Sequence, residues 1–384
     1  MHVGLFTECY RPIQNGVVAS VDALARELRA GGHEVTCVTP RMPHYREMQT
    51  FVLRVPSLPL PTRTAYRLTI PFVSGERTWR ILDRLSIVHT HSAFVTGWMG
   101  LRLARRLRLP LVFTYHTQLE EYAHYVPFDA RATRSVAAHL TRTYANAADL
   151  VVVPTAAMES RLRALGVAAR IAVVPTGIDV DQFALGRRDD ALRARLGVPA
   201  GGTMLLSVGR LGREKNVELT LDAFARLDAA GARLVLVGDG LHREALERRA
   251  ERLGIAARTT FAGEFPRESL PAVYRSADVF VSTSTSETQG LVLVEALAAG
   301  LPVVAVDTPQ TRDVLGNAAR IVRPDAVEFA AGLRAVLDGA RPEAVAAERV
   351  ARRFERHLLG EHVIDLYRSL LPASRETRVP VAAG

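Results

Sequence analysis

The chain reads as an α/β protein of two lobes, each built on a parallel sheet, facing a shared cleft. Three observations predict this. At 384 residues it is too long for one ordinary core and fits two domains of about 190 residues each. Short apolar runs alternate with helical spacing from the first residues onward, the strand–helix–strand unit of a parallel sheet. The alternation then breaks at a proline- and glycine-containing turn, Val174-Pro175-Thr176-Gly177-Ile178-Asp179, and starts again.

The elements follow in order. Residues 3–6 form a strand, and a glycine-containing loop follows at Asn15-Gly16-Val17. Residues 19–30 place Val21, Leu24, Ala25 and Leu28 at helical spacing, and Gly31-Gly32 ends that helix before a strand at 34–39. Further strands lie at 87–89, 111–113, 150–153 and 171–174. In the second half, a short helical segment at 188–196 precedes a strand at 203–208 that ends at Gly209. A helix at 217–229 turns Leu219, Phe224 and Leu227 inward, and strand 234–237 is punctuated by Gly238-Asp239-Gly240. A helix at 242–253, strands at 259–261 and within 277–282, a helix at 292–299 and a strand at 302–305 come next. Helices fill much of 325–370, and residues 372–384, with Pro372 and Pro380, read as a disordered tail.

Composition narrows the function classes. Charged residues at 23% and hydrophobic residues at 48% are those of a folded globular protein. No run of 18 apolar residues is present and the start leads straight into a strand, so neither a membrane span nor a leader is expected. Cys9 and Cys37 lack metal-ligand spacing and read as reduced buried thiols of a cytoplasmic protein. The net charge of +9 is uneven: residues 1–150 hold 18 arginines against 11 acids, a balance of +7. Two clusters carry much of it, Arg63, Arg67, Arg77, Arg80 and Arg84, then Arg102, Arg105, Arg106 and Arg108. Such a face suits an anionic lipid surface or a phosphorylated substrate, and equally an ordinary solvated surface. Nucleic acid is the least favoured partner, because no zinc finger and no stacking aromatics accompany the basic stretches.

In open parallel sheets, ligands bind beyond the carboxyl ends of the strands. The glycine loops at 15–16, 209–212, 238–240 and 290 are therefore expected to face the cleft. Neither a Walker loop nor a Gly-x-Gly-x-x-Gly fingerprint is present, which argues against an ATPase or a dinucleotide oxidoreductase. Gly209-Arg210-Leu211-Gly212-Arg213-Glu214-Lys215 sets Arg210 and Lys215 just after a strand; Arg210 forks onto phosphate oxygens and Lys215 adds a point charge. The chain has 48 arginines and one lysine, and the lysine is here, which suggests a place for an ammonium where a guanidinium would not fit. His116 follows a strand directly and either donates to a hydroxyl near a reaction centre or caps a loop. Glu120, Glu121, Tyr122, His124 and Tyr125 after it either line an acceptor pocket or pack a loop. Glu287 and Glu295, eight residues apart in an apolar stretch, flank Gly290-Leu291 at the start of a helix, whose amides at 290–292 favour phosphate oxygens. Glu295 suits vicinal hydroxyls such as those of ribose, and Glu287 suits sugar hydroxyls.

Taken in order and spacing, Asn15-Gly16-Val17, His116, the turn at 174–179, Gly209-Arg210 with Lys215, and Glu287 to Glu295 resemble the family 4 retaining glycosyltransferases over residues 2–370. The resemblance implies two Rossmann-like lobes in the arrangement called GT-B. An acceptor-binding lobe would span 1–177 and a nucleotide-sugar lobe 178–351, with a helix at 352–371 crossing back to the first. It also implies that Gly209, Arg210 and Lys215 meet the donor diphosphate, Glu295 the ribose, and Glu287, Gly290 and Leu291 the sugar and phosphates. Gly16 would let the first lobe approach the diphosphate, and Gly263-Glu264-Phe265 would hold the base.

The implied reaction retains configuration: the acceptor hydroxyl attacks the face from which the nucleotide departs, and the leaving phosphate takes its proton. His116, Arg210, Lys215 and Glu287 would carry the chemistry, with neither a metal nor another cofactor required. The stretches 114–125 and 287–291 are most similar to bacterial diacylglycerol glucosyltransferases. That similarity implies UDP-glucose and a membrane glycerolipid, with Trp79 and Trp98 as anchors at the inner face of the plasma membrane. The alternative is a GDP-mannose-dependent enzyme acting on a phosphoinositol lipid or a soluble sugar. An inactive nucleotide-sugar-binding protein and an epimerase are readings of other classes.

Overall fold

A computed structural model of the chain describes residues 1–60, 66–71, 75–121, 129–227, 229, 231–340 and 344–372. Arg63, Tyr122, His124, Tyr125 and the tail from 373 lie outside the described residues. The chain divides into two compact units, Met1–Gly177 with the segment from Arg356, and Ile178–Glu355.

The first unit holds β1 (His2–Phe6), β2 (Glu34–Pro40), β3 (Val52–Val55), β4 (Ser57–Pro59), β5 (Arg67–Thr69), β6 (Ile87–Thr90), β7 (Leu111–Thr114), β8 (Leu150–Val153) and β9 (Ile171–Val173). Seven of them form one parallel sheet in the order β3-β2-β1-β6-β7-β8-β9, while β4 and β5 pair as a small antiparallel ribbon. Alternation along β1 divides the core between two faces. Phe6 joins Val38, Val88 and Phe113 on one face; Val3 and Leu5 join Cys37, Ile87 and Val112 on the other. Helix Arg356–Leu370 lies on helix Gly16–Ala30, burying Val363, Ile364 and Tyr367 in the second of these cores. Arg356 Nη1 stands 2.7 Å from Glu27 Oε1 there. Residues 352–355 fall in the second unit.

The second unit carries β10 (Thr203–Val208), β11 (Ala232–Val237), β12 (Thr259–Gly263), β13 (Val279–Ser282), β14 (Val303–Val306) and β15 (Arg320–Val322), all parallel, in the order β12-β11-β10-β13-β14-β15. β13 and β14 are buried along their full length, as expected of strands covered by helices on both sides. The two units are thus each a Rossmann-like sheet flanked by helices.

Local chemistry moves some boundaries. The stretch Asn15-Gly16-Val17 is not a loop: the Asn15 side chain accepts from the Val18 amide at 2.9 Å and starts the helix at Gly16. The helix expected over 217–229 runs only Val217–Ala225. The strands β3, β4, β5 and β15 carry too few residues to leave a periodic signal.

Gly238 holds the loop after β11 against the loop after β10. Its φ is +126°, and a Cβ there would stand 2.1 Å from the Gly209 carbonyl oxygen. Gly238→Ala is therefore expected to destabilise the second unit by more than about 2 kcal/mol, through both backbone strain and displaced carbonyl. Denaturant unfolding checks this, and a wild-type midpoint would show that the two loops are not held this close.

Candidate active site

The strand order reverses once in each sheet, between β1 and β6 and between β10 and β13. At such a point the connections leave for opposite faces and a crevice opens beyond the strand ends. In the second unit the loops there are Gly209–Asn216 after β10 and Thr283–Gly290 after β13. They are stitched together: Thr283 Oγ1 donates to the Asn216 carbonyl at 2.8 Å and Ser286 Oγ to the Glu214 carbonyl at 2.9 Å. The first loop is tied to its other neighbour by the Leu211 amide donating to the Asp239 carbonyl at 2.9 Å.

This brings Arg210, Lys215 and Glu287 together. Lys215 Nζ lies 2.5 Å from Glu287 Oε1, with the two side chains only 22% and 18% exposed. Burial alone would raise the Glu287 carboxyl, but Lys215, with Arg210 behind it, holds it below the usual carboxylate range. Arg210 donates through Nε and Nη2 to Glu214 Oε1 at 3.1 and 2.7 Å, and that carboxylate is almost fully buried. Glu214 therefore fixes the direction of the Arg210 guanidinium.

Gly290 has a φ of +80°, and a Cβ on it would meet Leu293 Cδ1 at 2.9 Å. Only glycine makes this turn without strain. It delivers the chain into helix Leu291–Ala298, whose N-cap makes no side-chain hydrogen bond, and the amides of such a helix end favour negative charge. Glu295 lies on the buried face of that helix. Its Oε2 accepts from the Tyr274 hydroxyl at 2.8 Å, and Arg267 Nη2 stands 3.1 Å from Oε1, which accepts no well-aligned hydrogen bond. Gly263 closes β12 and its carbonyl accepts from the Gly238 amide at 2.8 Å. Phe265 is partly buried against the core beneath.

In the first unit, Gly16 lies exposed in the first helical turn. His116 follows β7, and its Nε2 is 2.8 Å from His91 Nδ1 on the loop after β6. Burial pushes His116 down to about 4, so it is neutral near pH 7. Glu8, after β1, accepts from the Thr96 amide and hydroxyl at 2.9 and 2.7 Å and caps helix Val95–Leu107.

Residues 14–182 match the model of Glycosyltransferase Family 4, and residues 188–353 that of Glycosyl transferases group 1. An alpha-monoglucosyldiacylglycerol synthase of Streptococcus pneumoniae is 33% identical over 83% of this chain and 74% of its own. The chain belongs to the family 4 glycosyltransferases. A GDP-mannose-dependent alpha-mannosyltransferase of Mycobacterium tuberculosis is 35% identical to this glycosyltransferase over 82% of this chain and 81% of its own. In fold it is similar to sucrose-phosphate synthase of Thermosynechococcus elongatus, with a TM-score of 0.77 at 23% identity, over 96% of this chain and 98% of that one.

Sequence reasoning about this glycosyltransferase missed Glu214, Tyr274, Arg267, His89 and His91. The pair His89-x-His91 at a strand end was the one local signal available. The arginine clusters are partly spoken for. Arg80 pairs with Glu76, Arg84 with Glu34, and Arg106 lies over the Trp79 ring at 4.7 Å. Trp79 and Trp98, expected as membrane anchors, pack partly buried on the core, and Phe94, which lines a groove with Trp98, is exposed. Among the described residues no helix is long and apolar enough to cross a membrane, and no group of three or more His, Cys, Asp or Glu is placed to hold a metal ion.

The Lys215–Glu287 pair makes stability depend on pH. A carboxyl whose folded pKa is depressed contributes stability above its unfolded value, about 4.3. That contribution is lost as pH falls through the lower folded value. Glu287→Gln is expected to cost about 2 kcal/mol at pH 7, with the gap to wild type closing toward pH 3. Urea unfolding at both pH values reads this; a gap of constant size would mean that the pair does not hold the carboxylate.

Proposed function

We propose that this glycosyltransferase moves glucose from UDP-glucose to a hydroxyl of a membrane glycerolipid with retention of configuration. The observation that carries the donor half is the Arg210–Lys215–Glu287 cluster at the strand-order reversal, beside an uncapped helix end. Arg210, Lys215 and the amides at 290–292 are assigned to the diphosphate, where negative charge grows as the glycosidic bond to the nucleotide breaks. Removing one such donor costs about 3 kcal/mol in the transition state. Glu287, kept ionised, accepts from sugar hydroxyls, and Glu295 takes the ribose through Oε1, with Tyr274 holding the other oxygen. Gly263 and Phe265 are assigned to the base. The acceptor hydroxyl attacks the anomeric carbon from the side the phosphate leaves, and a phosphate oxygen takes its proton.

Two observations support the lipid acceptor. Besides the pneumococcal synthase, an enzyme of the same name from Acholeplasma laidlawii is 30% identical over 79% of this chain. In the first unit, Pro71, Ala93, Phe94, Trp98 and Leu140, together with Arg102, line a mostly apolar groove of about 360 Å³. Acyl chains suit such walls, and the exposed Arg102 and Arg105 of the same helix suit anionic headgroups. The second reading is mannosyl transfer from GDP-mannose, favoured by the mycobacterial relative at 35% identity.

A matrix of UDP-glucose and GDP-mannose against diacylglycerol, phosphoinositol lipid and soluble sugars decides between them, with product mass and anomeric configuration read out. The α-glucosyl lipid is expected. Turnover with GDP-mannose alone would replace this reading with the second, and binding without turnover would leave an inactive nucleotide-sugar-binding protein. Lys215→Ala is expected to fold, with reduced stability because Glu287 loses this cation, and to lose at least about a hundredfold in kcat; wild-type turnover in that variant would remove Lys215 from the chemistry. Liposome association is expected to rise with anionic lipid and fall with salt.

A further inference from the structure

Three histidines stand in a row at the ends of β6 and β7. His89 is fully engaged: its Nδ1 lies 2.5 Å from the Tyr367 hydroxyl and its Nε2 2.6 Å from Thr114 Oγ1. His91 stacks on His89 with ring centroids 4.2 Å apart, and on His116 at 5.1 Å. His91 Nδ1 and His116 Nε2 share one hydrogen bond of 2.8 Å. His91 is 95% buried by its 5% exposure, and its Nε2 is buried without a hydrogen-bond partner. Burial holds all three rings neutral at pH 7.

A neutral imidazole carries one proton, so two arrangements are open. If His116 Nε2–H donates, His91 must carry its proton on Nε2, leaving a buried N–H with nothing to donate to. If His91 Nδ1–H donates, its Nε2 is a bare acceptor, and His116 carries its proton on Nδ1. Orphaned buried donors are rarer than under-filled acceptors, which selects the second arrangement.

We propose that His91 is a positioning residue that locks His116 into the Nδ1–H form, so that His116 is a hydrogen-bond donor and never a base. The lone pair of His116 Nε2 is occupied by the His91 proton, and its other nitrogen has no lone pair to offer. This rests on the glycosyl transfer proposed above and on the expectation that His116 is among the residues that carry its chemistry, and deepens both: in that role His116 donates to a substrate oxygen, and the acceptor proton must go elsewhere.

The test combines spectroscopy with kinetics on the full chain. Long-range ¹H–¹⁵N spectra of histidine-labelled protein, assigned through His91→Leu and His116→Phe, are expected to show His116 protonated on Nδ1 and His91 on Nδ1. A proton on His116 Nε2 in wild type would overturn the proposal. In His91→Leu the His116 ring is expected to populate both forms and kcat for nucleotide release to fall about a hundredfold, with KM moved less. His91→Asn, whose side-chain amide replaces the Nδ1–H donor, is expected to recover most of that loss. If His116→Phe turns over like wild type, the reading of His116 itself fails. If His116→Phe is dead while folded His91→Leu keeps wild-type kcat and an unchanged spectrum, only the proposal fails. Should His91→Leu not fold, the wild-type spectrum and His91→Asn still decide it.

Discussion

The reversal of strand order between β10 and β13 is the constraint on which the second unit's chemistry rests. Because successive connections leave the sheet on opposite faces there, no helix covers the gap between the two strand ends. Loops whose residues stand 67 and 72 positions apart in sequence are forced side by side. The chain answers with small hydroxyl side chains, Thr283 and Ser286, that donate to carbonyls of the neighbouring loop. Lys215 and Glu287, the first on one loop and the second on the other, can meet only because those bonds hold the loops in register.

That geometry also explains why the cations are not left bare. Arg210 is held by the buried Glu214, and Lys215 faces Glu287, so each positive group has a carboxylate beside it. Two unpaired cations in a half-buried crevice would repel each other and cost the fold several kcal/mol. Pairing them keeps the crevice near neutral and rigid, and the charges point in fixed directions before any ligand arrives. Preorganised dipoles of this kind act without reorganising at the moment of reaction, which is where most electrostatic catalysis originates.

How much of this could be read from the sequence depends on how local each signal is. The two parallel sheets were legible because buried strands write continuous apolar runs, and Glu287 with Glu295 stood out as carboxylates in an otherwise apolar stretch. The lone lysine among 48 arginines pointed to a site for the same reason, a residue type in conflict with its surroundings. Glu214 gave no such contrast: it sits in Arg213-Glu214-Lys215-Asn216, which reads as an exposed charged turn, yet it is the most buried carboxylate of the cluster. Tyr274 looked like an ordinary core aromatic, and its hydrogen bond to Glu295 spans 21 residues. Asn15 stands in a glycine-containing stretch that suggests a loop, although asparagine before an apolar periodic run is a helix-cap signal.

The first unit reaches its site by the opposite physical route. Where the second unit gathers charge, the ends of β6 and β7 gather histidines that burial keeps uncharged. A neutral imidazole in a water-poor setting discriminates by hydrogen-bond direction rather than by charge, and that direction is set by whichever neighbour claims its other nitrogen. His89 is claimed on both sides by hydroxyls that rotate to suit it, so it tolerates either form. His116 meets a rigid ring instead, and a rigid partner can hold one form only. The two units thus present two different families of side chain at their strand ends. In the function proposed, the fixed charges would steady the leaving diphosphate and the ring of fixed polarity would address the sugar. Under that division the phosphate oxygen is the base left to receive the acceptor's proton.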